Sequence, residues 1–332
     1  GNNMVNMSVI DLMKAHRFVR QVESNELSEF ETYPMIEALS ELQIGPAHID
    51  IGKMVVRYQE LCGEKTIKAF LELELEEIIG ANIKPLPRPK DVVLYGFGRI
   101  GRLITRLLID KAGGGDVMRL RAIVIRPGGS PNDLTKRAAL LRQDSVHGSF
   151  KGTIRVLEGR DILVVNGNPI KIIYADSPSE VDYTKYGISD AIVIDNTGVW
   201  RTKEGLSTHL NCNGISKVLL TAPAKEGIKN IVHGINNGII ENDEILGAAS
   251  CTTNAIVPTL KVLNDEFNII SGHIESVHSY TNDQNLIDNF HKKARRGRSA
   301  ALNMVITETG AGKAVGQVLP ELIGKLTANA VR

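Results

Sequence analysis

At 332 residues the chain is long enough for about two domains with a sizeable core. Lysine and arginine total 39 against 38 aspartates and glutamates, and a net charge of +1 lacks the broad basic excess that nucleic-acid or membrane-surface binding demands. Hydrophobic residues make up 42% and charged ones 23%, which suits a globular protein, and no apolar run approaches the roughly 20 residues of a membrane span. Cys62, Cys212 and Cys251 are odd in number and far apart, so neither a disulfide framework nor a Cys-rich zinc site is expected; a reducing, cytoplasmic setting is. The opening Gly-Asn-Asn carries no positively charged leader ahead of an apolar stretch.

Residues 1–80 read as successive helices. Ser8 with Asp11 makes a capping-box signature, and Val9, Leu12, Met13, Phe18, Val19 and Val22 follow at helical spacing. Similar stripes recur at Met35, Ile36, Leu39 and Leu42, at Ile51, Met54, Val55 and Tyr58, and from Ile67 through Phe70, Leu71 and Leu75 to Ile78 and Ile79, with Gly80 as a helix stop. No nucleophile, metal cluster or phosphate loop stands out here, and a helical packing or oligomerisation module is expected. Pro85, Pro87 and Pro89 favour an extended linker, so a first boundary falls at residue 90.

From Asp91 the pattern becomes short, continuously apolar runs alternating with helical stretches: 92–95, 120–125, 191–194 and 218–220. Runs of that kind suit strands buried on both faces of a parallel sheet, and the alternation predicts a doubly wound α/β domain. Residues 153–156, 162–165 and 170–174 read as a small antiparallel set within it.

The strand at 92–95 runs into Gly96-Phe97-Gly98-Arg99-Ile100-Gly101-Arg102 and then into a helical stripe at Leu103, Leu107 and Leu108. In that setting Gly96 permits the tight turn, Gly98 lets the backbone approach a pyrophosphate, and Gly101 lets helix and strand pack, so a dinucleotide is expected. The second strand ends Val124-Ile125-Arg126-Pro127, with no acid until Asp133. An arginine there suits the 2'-phosphate of NADP, and the sequence leans toward NADP or toward use of both cofactors.

In Gly247-Ala248-Ala249-Ser250-Cys251-Thr252-Thr253-Asn254, small residues lead to a cysteine that opens a helical stripe at Ala255, Ile256, Thr259, Leu260 and Leu263. A helix start favours thiolate, and its free N–H groups could hold an oxyanion; against this, free cysteines are commonly buried and inert. A thiol nucleophile needs a base, and His278 ends a strand-like run at 274–277 that could bring it beside Cys251. His147, His209 and His291 fit a turn, a helix and a basic loop.

Those segments, together with residues 144–148, 196–199, 221–225, 296–301 and 309–316, occur in the order and spacing of phosphorylating glyceraldehyde-3-phosphate dehydrogenases, which residues 92–332 resemble. The resemblance implies a Rossmann-type cofactor domain over residues 91–249 and an α+β catalytic domain over 250–332, preceded by a helical extension similar to that of a long bacterial form. It implies that Cys251 attacks an aldehyde and that His278 serves as base and then acid. It places Gly96, Gly98, Arg99, Ile100, Gly101, Arg126, Thr197 and Thr221 at cofactor positions. Ser250, Thr252, Thr281, Thr309, Gly310 and Arg332 fall at phosphate positions, with Arg298 in the basic 291–298 loop a further phosphate ligand. A sugar phosphate and inorganic phosphate are the implied substrates, and a homotetramer the implied assembly.

The sequence departs from the family at Arg126, where NAD-using relatives place an acid, and at Glu308, a negative charge beside Thr309 and Gly310. The family also continues beyond the position of Arg332, so the chain is expected to be a fragment with an incomplete catalytic domain. Two other readings are carried: the same chemistry on erythrose 4-phosphate, and a catalytically silent nucleotide-binding or assembly protein.

Overall fold

The computed structural model describes residues 9–22, 27–44, 47, 49–61, 65–79, 89–111, 117–225, 227–307 and 309–332. Ser8, Cys62, Gly80, Pro85, Pro87 and Glu308 lie outside them. The chain forms two compact units, Gly1–Asp176 and Ser177–Arg332.

The first unit opens with helices α1 (Val9–Val22), α2 (Glu29–Ser40), α3 (Ile51–Glu60) and α4 (Ile67–Glu74). Their starts are fixed locally. The Glu31 carboxylate accepts from both the N–H and the hydroxyl of Ser28, Asp50 accepts from the Lys53 N–H, and Thr66 accepts from that of Ala69. The apolar stripes then close on a core of their own, made by Leu27, Met35, Val55, Phe70, Leu71 and Leu75. The last stripe was expected to run as helix to Ile79. Helix α4 instead ends at Glu74, a single 3-10 turn follows at Glu76–Ile78, and Ile79 pairs in antiparallel fashion with Ile44. That tertiary contact straightens a segment whose own spacing is helical.

Strand β1 (Lys90–Tyr95), helix α5 (Arg99–Lys111) and strand β2 (Met118–Ile125) make a parallel β-α-β unit. All but the first residue of β1 are buried, as a strand covered on both faces requires. After α6 (Asp133–Arg142) and a small hairpin, β3 (Gln143–Asp144) with β4 (Gly148–Ser149), come β5 (Ile154–Leu157), β6 (Ile162–Val165) and β7 (Asn168–Tyr174). These last three form the expected antiparallel set, and β7 lies parallel to β2 with Tyr174 opposite Ile125.

In the second unit β8 (Ala191–Asp195), α7 (Lys203–Leu210) and β9 (Ile215–Leu220) repeat the parallel unit, and β10 (Ile245–Gly247) adds to β9. Then follow α8 (Cys251–Phe267), β11 (Gly272–Val277), β12 (Ile306–Thr307), α9 (Ala311–Val318) and β13 (Leu326–Val331). Strand β13 is central, parallel to β11 and antiparallel to β12. Helices α8 and α9 cover the sheet through Val257, Ile274, Val315, Val318 and Leu319. The pattern is the doubly wound α/β arrangement that the alternation of runs predicts, followed by the α+β region that the resemblance implies. Among the described residues no helix is long and apolar enough to cross a membrane.

Candidate active site

Helix α8 begins at Cys251 because Ser250 caps it: the Ser250 hydroxyl accepts from the Thr253 N–H at 3.0 Å and lies 2.7 Å from the Thr253 hydroxyl. The turn entering the helix is tightly specified. Ala249 sits buried in the left-handed region at φ +56, a strained conformation for an alanine. Asn254 donates to the carbonyls of both Ala248 and Ser250, at 2.7 and 2.9 Å, which ties the turn to the first helical residues. The result is an exposed thiol at a helix start, where the N–H groups of Cys251 and Thr252 have no acceptor within the helix.

Parallel pairing sets the base. Val277 of β11 lies opposite Val331 of β13, and the His278 N–H continues the ladder to the Val331 carbonyl. The imidazole Nε2 stands 3.5 Å from the Cys251 Sγ, and Nδ1 stands 2.6 Å from the Ser279 carbonyl oxygen. A carbonyl can only accept, so Nδ1 carries the proton and Nε2 turns its lone pair to the thiol. The structure thus brings together the two residues that the sequence singles out.

Arg332 follows Val331, and its backbone pairs with Val305 in both directions. Its guanidinium lies within electrostatic reach of Cys251, Asp283 and Arg296, with burial the first cause holding it below its ordinary range. Asp283 is bonded to Arg296; burial opposes its charge, yet Arg296 keeps the carboxyl below its usual range. Thr281 closes the same loop, its N–H donating to Gln284 and its hydroxyl accepting from Asp283. Thr309 accepts from the Ala311 N–H ahead of α9, whose N-cap is Gly310. Arg298 is held by Asp288 at 2.7 Å.

The glycine loop joins β1 to α5. Gly96 takes φ +92 and donates to the Val124 carbonyl, which ties the turn to β2. Gly98 faces open space, since a Cβ there would meet no atom within 4 Å, and Gly101 is buried at the start of α5. An exposed backbone approach at a helix N-terminus fits a pyrophosphate. Arg99 pairs with Asp144 at 3.2 Å; hydrogen bonds from His147 and Val146, then Arg99, hold that carboxyl down at about 2. Ile100 is half exposed. Arg126 is exposed one residue beyond β2, and its carbonyl accepts from Arg137. In the second unit Thr197 and Thr221 meet on one buried residue, Asp195. Its carboxylate accepts from the Thr197 N–H and hydroxyl, and its carbonyl accepts from both groups of Thr221.

Sequence reasoning missed three of these residues. Asn254 stood in view without a role, the strain at Ala249 leaves no signal in an alanine, and Asp195 looked like the tail of an apolar run. His209, read as a helix residue, is fully buried with Nε2 3.1 Å from the Asp195 carboxylate and an edge-on contact to Trp200.

A model of the glyceraldehyde 3-phosphate dehydrogenase NAD binding domain matches residues 90–203, and one of that enzyme's C-terminal domain matches residues 250–332. A glyceraldehyde-3-phosphate dehydrogenase-like protein from Pseudomonas aeruginosa is 57% identical over 335 residues, covering all of this chain and 72% of its own length. The glyceraldehyde-3-phosphate dehydrogenases of Clostridium pasteurianum and Borreliella burgdorferi are 40% and 41% identical, each match covering 73% of this chain and 69% of the relative. The two domain matches in chain order, together with the identity to these relatives, make the chain a member of the glyceraldehyde-3-phosphate dehydrogenase family, an oxidoreductase with an NAD-binding domain.

Proposed function

We propose that the chain oxidises D-glyceraldehyde 3-phosphate to 1,3-bisphosphoglycerate with NAD(P) and inorganic phosphate, through a thioester on Cys251. The reading rests on the 3.5 Å approach of Nε2 to Sγ, with Nδ1 pinned by a backbone carbonyl. His278 takes the thiol proton, and the thiolate attacks the aldehyde carbon, forming a C–S bond. The carbonyl oxygen gains the electron pair beside the N–H groups at the start of α8 and takes the proton from His278, giving a thiohemiacetal. His278 then removes that hydroxyl proton as hydride leaves carbon. Bound nicotinamide supplies the hydride acceptor. A phosphate oxygen adds to the thioester carbonyl, the C–S bond breaks, and the thiolate of Cys251 is restored.

Arg332 is the cation for an anion bound near Cys251, with Ser250, Thr252, Thr281, Thr309 and Gly310 supplying hydroxyl and backbone groups and Arg298 a further guanidinium. The Ser250 hydroxyl is already the cap of α8, which gives it a positioning part in addition. Residues 1–90 are assigned to a helical extension, 91–249 to the cofactor domain and 250–332 to the catalytic domain, working as a homotetramer in a reducing, cytoplasmic setting. Cys212 and Cys251 are both free thiols.

The test is cofactor reduction that requires both aldehyde and phosphate. Glyceraldehyde 3-phosphate should outperform erythrose 4-phosphate, and Cys251→Ser should abolish turnover. Iodoacetamide should label Cys251 before Cys212, whose thiol burial pushes up. Faster turnover of the tetrose would transfer the assignment to that substrate. No turnover with either sugar would support a nucleotide-binding or assembly role, and light scattering checks the assembly.

A further inference from the structure

We propose that the buried pair Asp195 and His209 is a positioning device that presets Thr197 and Thr221 as hydrogen-bond acceptors, so that they take hydroxyl or amide N–H groups of the dinucleotide and not its phosphates. The assignment rests on the reading of Thr197 and Thr221 as cofactor positions. Ligands of parallel α/β sheets bind outside the carboxyl ends of the strands. Asp195 is the last residue of β8, paired with Leu220 at the end of β9, so both threonines stand at that end of the second unit. Thr197 is exposed there and Thr221 half-buried.

Asp195 has no exposed surface, and a carboxylate taken out of water must be met by donors. Oδ1 accepts from the Thr197 N–H and hydroxyl, both at 2.7 Å, and Oδ2 lies 3.1 Å from Nε2 of His209. A carboxylate only accepts, so Nε2 carries the proton of that bond. His209 is itself completely buried in the last turn of α7, with the Trp200 ring edge-on at 5.5 Å. Gly205 makes room for that indole, since a Cβ there would lie 3.1 Å from it. The steps written for Cys251 and His278 use neither residue of the pair.

A threonine hydroxyl has one proton to give and two lone pairs to receive with. The Thr197 proton goes to the Asp195 carboxylate, and the Thr221 proton goes to the Asp195 carbonyl at 3.0 Å. Thr197 spends one lone pair on the Val199 N–H at 3.1 Å and keeps the other. Both hydroxyls therefore have only acceptor capacity left for a ligand. A phosphate oxygen is itself an acceptor, and the carboxylate behind Thr197 repels its charge. A ribose hydroxyl or a carboxamide N–H is a donor, which these oxygens receive without any rearrangement. His209 acts through Asp195 and not on the ligand. Without its proton Oδ2 is a buried acceptor left unmet, and the carboxylate can turn and release Thr197.

Calorimetric titration of the full chain with NAD, at one fixed pH and salt concentration, tests the proposal. His209→Leu removes the donor and should weaken NAD by about tenfold, the scale of one hydrogen bond to a charged group. His209→Gln, whose amide can still donate to Oδ2, should stay within about threefold of the parent. Thr197→Val should weaken NAD by about tenfold in the parent and by less than about threefold in the His209→Leu background, because both act through one carboxylate. Inorganic pyrophosphate should bind the parent and Thr197→Val alike, and Cys251 should be alkylated at the parent rate in every variant. If the leucine variant does not fold, Asp195→Asn takes its place in the cycle. Additive losses, a glutamine variant as weak as the leucine one, a matching fall in alkylation, or failure of both His209→Leu and Asp195→Asn to fold would assign the pair to stability alone and overturn the proposal, with NAD binding by the parent intact. A loss of pyrophosphate affinity in Thr197→Val would put a phosphate on that threonine and overturn the acceptor assignment. A folded parent that binds no NAD overturns the cofactor reading as well.

Discussion

At the scale of single residues, the proposed mechanism depends on which nitrogen of His278 carries the proton. The Ser279 carbonyl fixes that tautomer, so His278 is ready to accept from Cys251 without rearranging. His278→Asn is expected to lower turnover by about 10²- to 10⁴-fold and to slow iodoacetamide alkylation of Cys251 near neutral pH, with NAD binding unchanged. Equal alkylation rates in variant and parent across pH would remove the base from the mechanism. Asp144 gives a pH signature of its own. Its carboxyl is held at about 2, chiefly by the N–H groups of His147 and Val146 and then by Arg99, against an unfolded value of about 4. A carboxyl depressed by folding contributes its stability above the unfolded value and loses it as pH falls through the folded one. The stability gap between the parent and Asp144→Asn should therefore be full at pH of about 5 and close toward about 2, as read from urea unfolding midpoints. A gap constant over that range would contradict the assignment.

At the scale of elements, the proposed nucleophile depends on a turn rather than on a helix alone. Ser250 caps α8, Asn254 ties down two carbonyls, and Ala249 accepts a left-handed backbone inside a packed core. A β-branched side chain cannot take that conformation without cost. Ala249→Val should lose roughly 1–3 kcal/mol of stability and reduce turnover beyond the loss of folded protein, whereas Ala249→Gly should fold normally. Thermal unfolding with active-site thiol titration checks both. A stable, fully active valine variant would show that the turn geometry is not needed.

At the scale of the molecule, helices α2 to α4 carry a core separate from those that position Cys251 and His278. The Pseudomonas relative matches the whole chain, helical region included, whereas the Clostridium and Borreliella matches cover 73% of it. Phe70 is completely buried in that helical core, and Phe70→Ala should cost about 3–5 kcal/mol there. The alkylation rate of Cys251 should stay at the parent value. A matching fall in thiol reactivity would mean that the helical region supports the site.

Much of this was legible in the chain because the signals are local. Strands β1, β2 and β8 carry apolar runs whose burial on both faces dictates their composition, and the glycine loop and the start of α8 follow from turn and capping chemistry acting within a few residues. Cys251 and His278, 27 positions apart, stood out at a helix start and a strand end, and the family resemblance implied their roles. What the sequence could not hold is distance across the fold. The end of α4 is set by Ile79 pairing with Ile44, the tautomer of His278 by the path of its own backbone, and the convergence of Thr197 and Thr221 by the burial of Asp195 beside His209. Residues 126–133 show the division most directly. The sequence displays an arginine at the strand end and an acid seven positions later, whereas the fold joins the two through Arg137, which bonds the Asp133 carboxylate and the Arg126 carbonyl. Local propensity fixes which elements form; only the packing of elements far apart in sequence fixes which charges share a site.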